Sequence, residues 1–412
     1  MIHFEKFKLD NQLRVIVHED PSTPMAVLNV LYDVGARDED PEKTGFAHLF
    51  EHLMFGGSLH IPDFETPLQM AGGENNAFTT NDLTNYYIQL PAENIETAFW
   101  LESDRMLSLA FSEKSLEVQR KVVMEEFKEH YINKPYGDVW FKIRELAYKK
   151  HPYNWMTIGK ELSHIENARL NDVRHFFFKH YRPVNAILVV AGNVKTAHIK
   201  ELAQKWFGDI PAGEKYIRNL PREPRQEEAR ILEIKADVPL DALYKCYHMA
   251  SRIEDEYYST ELITEVLGGG GSSRLHQQLV KEKKLFSNIE CQQTGSVDPG
   301  LVVIEGKLIR GVSFQSAEQA IIEELEKIKT QLMEEKELVK VKNKTESAIA
   351  FEDMSVMNRA SSLAIYELLG DANMMNTELG KFQAVSAAEL ITTAGRLFDS
   401  RNCSTVYYHS NN

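Results

Sequence analysis

The sequence predicts an α+β protein of two homologous α/β domains, each a mainly antiparallel sheet with helices packed on one side. The first observation is an internal repeat. The stretch "YDVGARDEDPEKTGFAHLFEHLMFGG" from Tyr32 aligns with "YHMASRIEDEYYSTELITEVLGGGGS" from Tyr247 at an offset of 247 − 32 = 215. The coinciding pairs are Tyr32 and Tyr247, Arg37 and Arg252, Glu39 and Glu254, Asp40 and Asp255, and Gly56 and Gly271. Similarity at a fixed long offset indicates a duplicated domain.

The second observation is that strand-like and helix-like segments alternate along the chain. The stretches "MAVLNVLYDVG" and "NAILVVAGNV" are typical of strands, and the first twenty residues alternate apolar and polar side chains on both sides of Asp10-Asn11, which predicts a hairpin. Residues 113–131 and 317–350 have helical spacing and mixed charge. Within the second range, "EELEKIKTQLMEEKELVKVKNKTES" predicts one long solvated helix rather than a coiled coil.

The third observation is a change of composition near the middle of the chain. Residues 210–237 carry three prolines and dense charge before the next strand-like run, which is typical of a connector. We therefore predict an N-terminal domain over 1–215, a connector over 216–237 and a homologous C-terminal domain over 238–412.

Composition excludes several classes of protein. The 412 residues are 43% hydrophobic, which is enough to form the buried cores of folded domains. A net charge of −14 argues against a general nucleic-acid binder. Three widely spaced cysteines, Cys246, Cys291 and Cys403, fit neither a disulfide framework nor a metal knuckle. No apolar run reaches the roughly eighteen residues that span a bilayer, and the start does not resemble a signal peptide. We expect no membrane partner and a cytoplasmic location, with the periplasm as the alternative.

The segment "HLFEH" concentrates groups that can perform chemistry on one helix. His48 and His52 lie one turn apart, about 40° from each other around the axis, so both rings can reach one metal ion. Zinc binds imidazole nitrogen readily, and a carboxylate such as Glu51 can move a proton beside it. Satisfied core histidines are the alternative. At the offset of 215 the second half has Ile263, Val266 and Leu267 instead, so the helix itself does not need polar groups.

This region resembles the inverted-motif zinc peptidases, the superfamily of pitrilysin, insulin-degrading enzyme and the mitochondrial processing peptidase. The order H-x-x-E-H is theirs. The stretches "KTGFAHLFEHLMFGG", "AGGENNAFTTNDLTNYYIQLP", "RKVVMEEF", "HPYNWMTIGK", "HYRPVNAILVVAGNV" and "LGGGGSSRLHQQL" also occur in the family's usual order. The resemblance therefore covers nearly the whole chain and is far more specific than the five-residue motif.

The resemblance implies roles for particular residues. His48 and His52 correspond to zinc ligands, Glu51 to the general base, and Glu126, 126 − 52 = 74 positions after His52, to the third ligand. The local rivals for that third position are Glu125 and Glu129, for which solvated charge on the helix surface is the favoured interpretation.

Relatives often have a second glutamate seven residues before the third ligand, where this chain has Gln119. This glutamate would lie beside the zinc ligands without binding the metal itself. Because this chain lacks it, we expect at most weaker zinc binding.

The stretch "GGENNAFTTNDLTNYY" resembles the family's substrate-binding edge strand. An extended peptide would add as a further strand beside Asn76, Ala77 and Phe78, with backbone pairing giving affinity and little sequence preference. An ordinary half-buried strand after the Gly72-Gly73 turn is the alternative.

The second half departs from the family at a functional position. Self-sufficient relatives, and the non-zinc subunit of two-subunit relatives, carry an Arg and, seven residues on, a Tyr; here Val280 and Ser287 occupy those positions in "LVKEKKLFSNI". Valine cannot donate a hydrogen bond to a peptide carbonyl or a developing oxyanion. We therefore expect a homologous partner subunit to supply the Arg/Tyr pair, with a homodimer as the alternative.

Taken together, the residues and the resemblance predict a zinc metallo-endopeptidase subunit with one Zn²⁺ per chain, acting on unfolded peptides or oligopeptides. A non-catalytic scaffold or peptide-binding subunit of the same superfamily is the competing hypothesis. Intact His48, Glu51 and His52 weigh against the scaffold, whereas Gln119, Val280 and Ser287 weigh for it.

Overall fold

The computed structural model describes residues 1–411. In this range the strands are β1 Glu5–Lys8, β2 Arg14–Glu19, β3 Met25–Tyr32, β4 Glu74–Thr79, β5 Thr84–Pro91, β6 Ala186–Gly192, β7 Arg230–Ala236, β8 Ala242–His248, β9 Phe286–Gln293, β10 Leu301–Leu308 and β11 Cys403–Ser410. The α-helices are α1 Phe46–Met54, α2 Glu65–Met70, α3 Ile95–Leu107, α4 Glu113–Phe127, α5 Val139–Ala147, α6 Leu162–Glu166, α7 Leu170–His180, α8 Thr196–Phe207, α9 Glu256–Gly268, α10 Phe314–Thr330, α11 Glu335–Glu352, α12 Val356–Leu368, α13 Met374–Ala384 and α14 Ala387–Leu397.

The chain forms two compact units that are not continuous segments. The first contains residues 1–129, 155–220 and 350–377, and the second contains residues 130–154, 221–349 and 378–412. The strands of the first sheet all precede residue 215 and those of the second all follow it. The two compact units therefore do not correspond to a single division of the chain within the connector, because each unit contains one segment from the other half of the chain.

The first unit is built on a six-stranded sheet in the order β1-β2-β6-β3-β5-β4. Its neighbouring strands are antiparallel except β2 and β6, which are parallel. The predicted opening hairpin is present as β1 and β2. Strand β6 is buried along its whole length and β3 over seven of its eight residues. Continuous apolar runs are typical of strands covered on both faces.

The second unit repeats this topology in a five-stranded sheet ordered β7-β11-β8-β10-β9. Here β7 and β11 form the parallel pair, as β2 and β6 do in the first sheet, and the remaining pairs are antiparallel. Strands β4 and β9 are the corresponding edges. The predicted α+β class, with two homologous and mainly antiparallel sheets, is confirmed.

Each sheet is also covered on its second face by a helix from the other half of the chain. Helix α12 packs on β3 and β6, where Leu363 and Ala364 join a buried cluster with Ile16, Val27 and Val189. Helix α5 packs on β7, β8 and β11 in the second unit. The prediction placed helices on one side only. Exchanged helices were missed because α5 and α12 come from sequence far from the sheets that they cover.

The long charged segment after residue 313 is two helices, so the prediction of one helix is wrong. Helix α10 ends at Thr330, Gln331 has an extended backbone with φ −114° and ψ 130°, and α11 begins at Glu335. Met333 is buried in the core between them. The break at Gln331 places Met333 in the core, where its side chain is removed from water.

Two further properties follow from the described residues. None of their helices is both long enough and apolar enough to cross a membrane. Cys246, Cys291 and Cys403 are all buried and free.

Candidate metal centre

Helix α1 brings three polar side chains to one place because all its other side chains are buried. Phe46, Ala47, Leu49, Phe50, Leu53 and Met54 are buried, whereas His48, Glu51 and His52 are half-buried. The buried set anchors the short helix against the first core, including stacking of Phe50 on Tyr181 at 4.7 Å between ring centroids. The polar face is therefore held in a fixed orientation by the apolar one.

Three ligand-type atoms converge at this face. His52 Nε2 lies 3.3 Å from His48 Nε2, and Glu126 Oε2 lies 3.8 Å from His48 Nε2 and 3.5 Å from His52 Nε2. Zinc bonds of about 2.0–2.2 Å in tetrahedral geometry hold ligand atoms roughly 3.3–3.5 Å apart. The observed triangle is close to that size, so these residues fit a zinc ion. Among residues 1–411, this is the group of three His, Cys, Asp or Glu side chains close enough to hold a metal.

Helix α4 delivers Glu126 to the triangle. The helix starts at a Ser112 cap, whose hydroxyl accepts from Ser115 N, and it buries Leu116, Val123 and Phe127. That buried stripe fixes the rotation of the helix. The two rival carboxylates point elsewhere: Glu125 pairs with Lys128 at 3.2 Å, and Glu129 is exposed.

The electrostatics of His48 suit a metal ligand. Burial, with a smaller contribution from His52, lowers the pKa of His48 to about 4, while Glu126 opposes the shift. The ring is therefore neutral at neutral pH. Neutral imidazole is the form that binds a metal.

Glu51 is held by a hydroxyl from the neighbouring strand. Thr79 Oγ1, at the end of β4, donates to Glu51 Oε2 at 2.6 Å. Burial raises the pKa of the Glu51 carboxyl, and the Thr79 hydrogen bond and His52 act in the opposite direction. Thr79 lies in the stretch "GGENNAFTTNDLTNYY", directly after the predicted substrate-binding residues, but the resemblance assigns it no role. Strand alternation could have done so, since Thr79 shares a face with Ala77.

Strand β4 is an edge of the first sheet and, among residues 1–411, pairs with β5 alone. Asn76 is exposed, and its Oδ1 accepts from Ala77 N at 2.8 Å. Phe78 is half-buried and packs on the opposite face of the sheet, against the cluster that contains α12. The structure therefore places Ala77 on the α1 side of the sheet and directs the Asn76 and Phe78 side chains to the other side.

The positions that depart from the family pattern are also ordered. Gln119 lies two turns before Glu126 on α4 and is half-buried. Val280 packs against the core of the second unit. Ser287, at the start of β9, is exposed, and its hydroxyl donates to Lys307 O at 3.1 Å.

Comparison with protein-family models gives the class of the protein. Residues 14–159 match the model described as Insulinase (Peptidase family M16), and residues 167–345 match the model described as Peptidase M16 inactive domain. The chain therefore belongs to peptidase family M16.

Individual relatives agree with this assignment. The chain is 28% identical over 409 residues to "Zinc protease PqqE" of Helicobacter pylori, with 98% of this chain and 92% of that protein covered. It is similar to the crystal structure of a protease from Helicobacter pylori at a TM-score of 0.92 and 27% identity, covering 99% and 100% of the two chains. It is 29% identical to the mitochondrial-processing peptidase subunit beta of Saccharomyces cerevisiae over 53% of this chain and 47% of that one.

Proposed function

We propose that this chain is a zinc-dependent endopeptidase subunit that hydrolyses peptide bonds in unfolded peptides or oligopeptides. The observation that carries the proposal is the triangle of His48 Nε2, His52 Nε2 and Glu126 Oε2, with edges of 3.3–3.8 Å, on the same helical face as Glu51. Relatives named as zinc proteases support zinc as the metal.

The residues around the triangle have distinct tasks in this proposal. His48, His52 and Glu126 would hold a zinc ion, which would act as a Lewis acid that makes water nucleophilic at neutral pH and polarises a carbonyl. Glu51 accepts the proton of the attacking water and then delivers it to the leaving amine. Thr79 keeps one Glu51 oxygen in place, so the other oxygen is free to take the proton.

The edge strand β4 provides the means to align a substrate. A peptide in extended conformation pairs its backbone with a free strand edge, which requires that the segment be unfolded and places few demands on its side chains. In the chain without substrate, Ala77 N donates to Asn76 Oδ1. In this proposal a peptide carbonyl replaces Asn76 Oδ1 as the acceptor for that N–H.

A homologous partner subunit completes the enzyme in this proposal by supplying an Arg/Tyr pair, because Val280 has no donor and the Ser287 hydroxyl donates to Lys307 O. The yeast relative is named as one subunit of a processing peptidase, which supports this arrangement. The expected result is slow hydrolysis by the purified lone chain and a large gain when the partner is added. Efficient turnover by the lone chain at low concentration would contradict the division of labour.

Glu51→Gln tests the catalytic proposal directly. Wild type and variant are compared for zinc content by metal analysis and for hydrolysis of a quenched fluorescent peptide, with Glu125→Gln as the matched control. The Glu51→Gln variant should keep its zinc and lose about 10²–10⁴-fold in kcat, as removal of a general base does. Retained hydrolysis would refute the assignment of Glu51.

The second candidate function is a non-catalytic scaffold or peptide-binding subunit. The observation that favours it is the match of residues 167–345 to a domain described as inactive, together with Val280 and Ser287. A scaffold predicts peptide binding without zinc-dependent cleavage, even with the partner present. The same metal analysis and peptide assay separate the two functions.

A further inference from the structure

The N-terminus of α1 lacks the side-chain cap that helices usually have. The first N–H groups of a helix have no partner within it, and a serine, threonine, aspartate or asparagine normally satisfies one of them. Here the cap position is Gly45, with φ +87° and no side chain. A Cβ at Gly45 would lie 2.7 Å from both Ile158 O and Ile165 Cδ1, so none of these capping residues fits.

A distant glutamate takes the place of the missing cap. Glu39 Oε2 accepts from Gly45 N at 2.9 Å, and Glu39 Oε1 accepts from Ala47 N at 2.8 Å. Both carboxyl oxygens therefore bind the first turn of α1. A carboxylate in this position is also favourable to the helix dipole.

Glu39 is itself held in place. Its side chain is buried, and Trp155 Nε1 donates both to Glu39 Oε2 at 3.1 Å and to Ala36 O at 2.9 Å. Burial raises the pKa of Glu39, and the three N–H donors oppose that shift because they stabilise the carboxylate form. Hydrogen bonds from Gly45 N, Ala47 N and Trp155 Nε1 therefore fix the position of the Glu39 carboxyl group.

We propose that Glu39 is a positioning residue for the metal centre, fixing the first turn of α1 and thereby the distance of His48 from Glu126. His48 directly follows Ala47 and lies in this first turn, whereas Glu51 and His52 lie in the next one. Loss of the anchor frays the turn that carries His48 and leaves the rest of the helix in place. The inference rests on the proposed function, because it takes His48, His52 and Glu126 as zinc ligands.

The chain contains its own matched control. At the repeat offset, 39 + 215 = 254, stands Glu254. Its side chain is exposed and accepts from the backbone N and the hydroxyl of Ser251, at 2.8 and 2.7 Å. The same residue type therefore has a local role in the half of the chain that lacks the metal helix.

The experiment compares Glu39→Gln with Glu254→Gln. Glutamine keeps the size of the side chain but offers one acceptor oxygen, so it cannot accept from both Gly45 N and Ala47 N through two oxygens. The zinc Kd is measured by competition with a chromophoric chelator, the Tm on the apo protein, and kcat and KM at saturating zinc. In Glu39→Gln, zinc binding should weaken about 10–100-fold and kcat should fall with KM unchanged, since the peptide docks on β4. Glu254→Gln should stay within about twofold of wild type, in keeping with its exposed position.

The outcomes are distinguishable. A Glu39→Gln variant that binds zinc as tightly as wild type overturns the positioning inference and leaves the proposed function standing. A wild-type protein that binds no zinc overturns the proposed function itself. If Glu39→Gln lowers the apo Tm below the assay temperature, Trp155→Phe removes one donor while keeping an aromatic ring. That variant should weaken zinc binding several-fold, and wild-type affinity in it overturns the inference.

Discussion

Helices α1 and α9 occupy equivalent places in the two units but have opposite chemistry. In α1 one face carries His48, Glu51 and His52, each half-buried. In α9 the equivalent residues, Ile263, Val266 and Leu267, are buried in the core of the second unit. The difference shows that the fold does not need polar groups at these positions, so the polar face of α1 exists for another purpose.

The strongest way to break this comparison is to remove Glu126, the proposed third ligand. In Glu126→Gln the carboxylate oxygen becomes a neutral amide oxygen, so the loss of zinc affinity should exceed the roughly 10–100-fold that follows loss of an outer hydrogen-bonding partner. Zinc-dependent peptide hydrolysis should disappear with the metal. Glu125→Gln, one position away on the exposed side of α4, should leave the zinc Kd unchanged. Equal losses in both variants would show that α4 contributes general charge rather than a ligand.

The opposite change introduces a ligand-type side chain into the second unit. Leu267→His buries an imidazole in the position equivalent to His52, where the surrounding side chains are apolar, and should lower the free energy of unfolding by about 1–3 kcal/mol. Leu267→Met, which conserves volume, should cost less than about 1.5 kcal/mol. Urea unfolding followed by circular dichroism measures both. If Leu267→His were as stable as Leu267→Met, the apolar face of α9 would not be required by packing.

A smaller effect is expected from the hydroxyl that holds Glu51. Thr79→Val removes the donor and keeps the β-branched shape, so kcat should fall by about tenfold, the equivalent of one hydrogen bond of about 1.4 kcal/mol to a charged group. The zinc Kd should not change. Thr79→Ser, which keeps the hydroxyl, serves as the control and should retain most of the activity. A loss of the same size in both variants would assign the effect to packing.

The smallest effect concerns the outer part of the metal centre. Gln119→Glu adds a negative charge on the half-buried face of α4, two turns before Glu126, and should strengthen zinc binding by up to about tenfold. Val122→Glu adds the same charge to the exposed side of α4 and should have no effect. A chelator competition assay resolves both changes. Unchanged binding in Gln119→Glu would mean that a charge at this position has no influence on the ligands.

Much of the molecule follows from local sequence. The repeat at an offset of 215 predicts two copies of one sheet, and the spacing of His48, Glu51 and His52 predicts their common face because helical geometry is fixed. Glu126 needed the family resemblance, since nothing local separates it from Glu125. Glu39 and Thr79 could not be assigned from periodicity, because their roles depend on contacts with residues 6–28 positions away that only the folded chain creates. The break at Gln331 was missed because helical propensity continues through it.

The exchange of α5 and α12 has a consequence for biosynthesis. The face of the first sheet that bears Ile16, Val27 and Val189 is covered by residues 356–368. During translation that face stays bare until residues 356–368 have left the ribosome, and sheets with exposed apolar surface are prone to aggregate. A chain truncated at residue 215 should therefore bind a hydrophobic dye that the full-length protein ignores. Neither unit can complete its core until its segment from the C-terminal half of the chain has been synthesised.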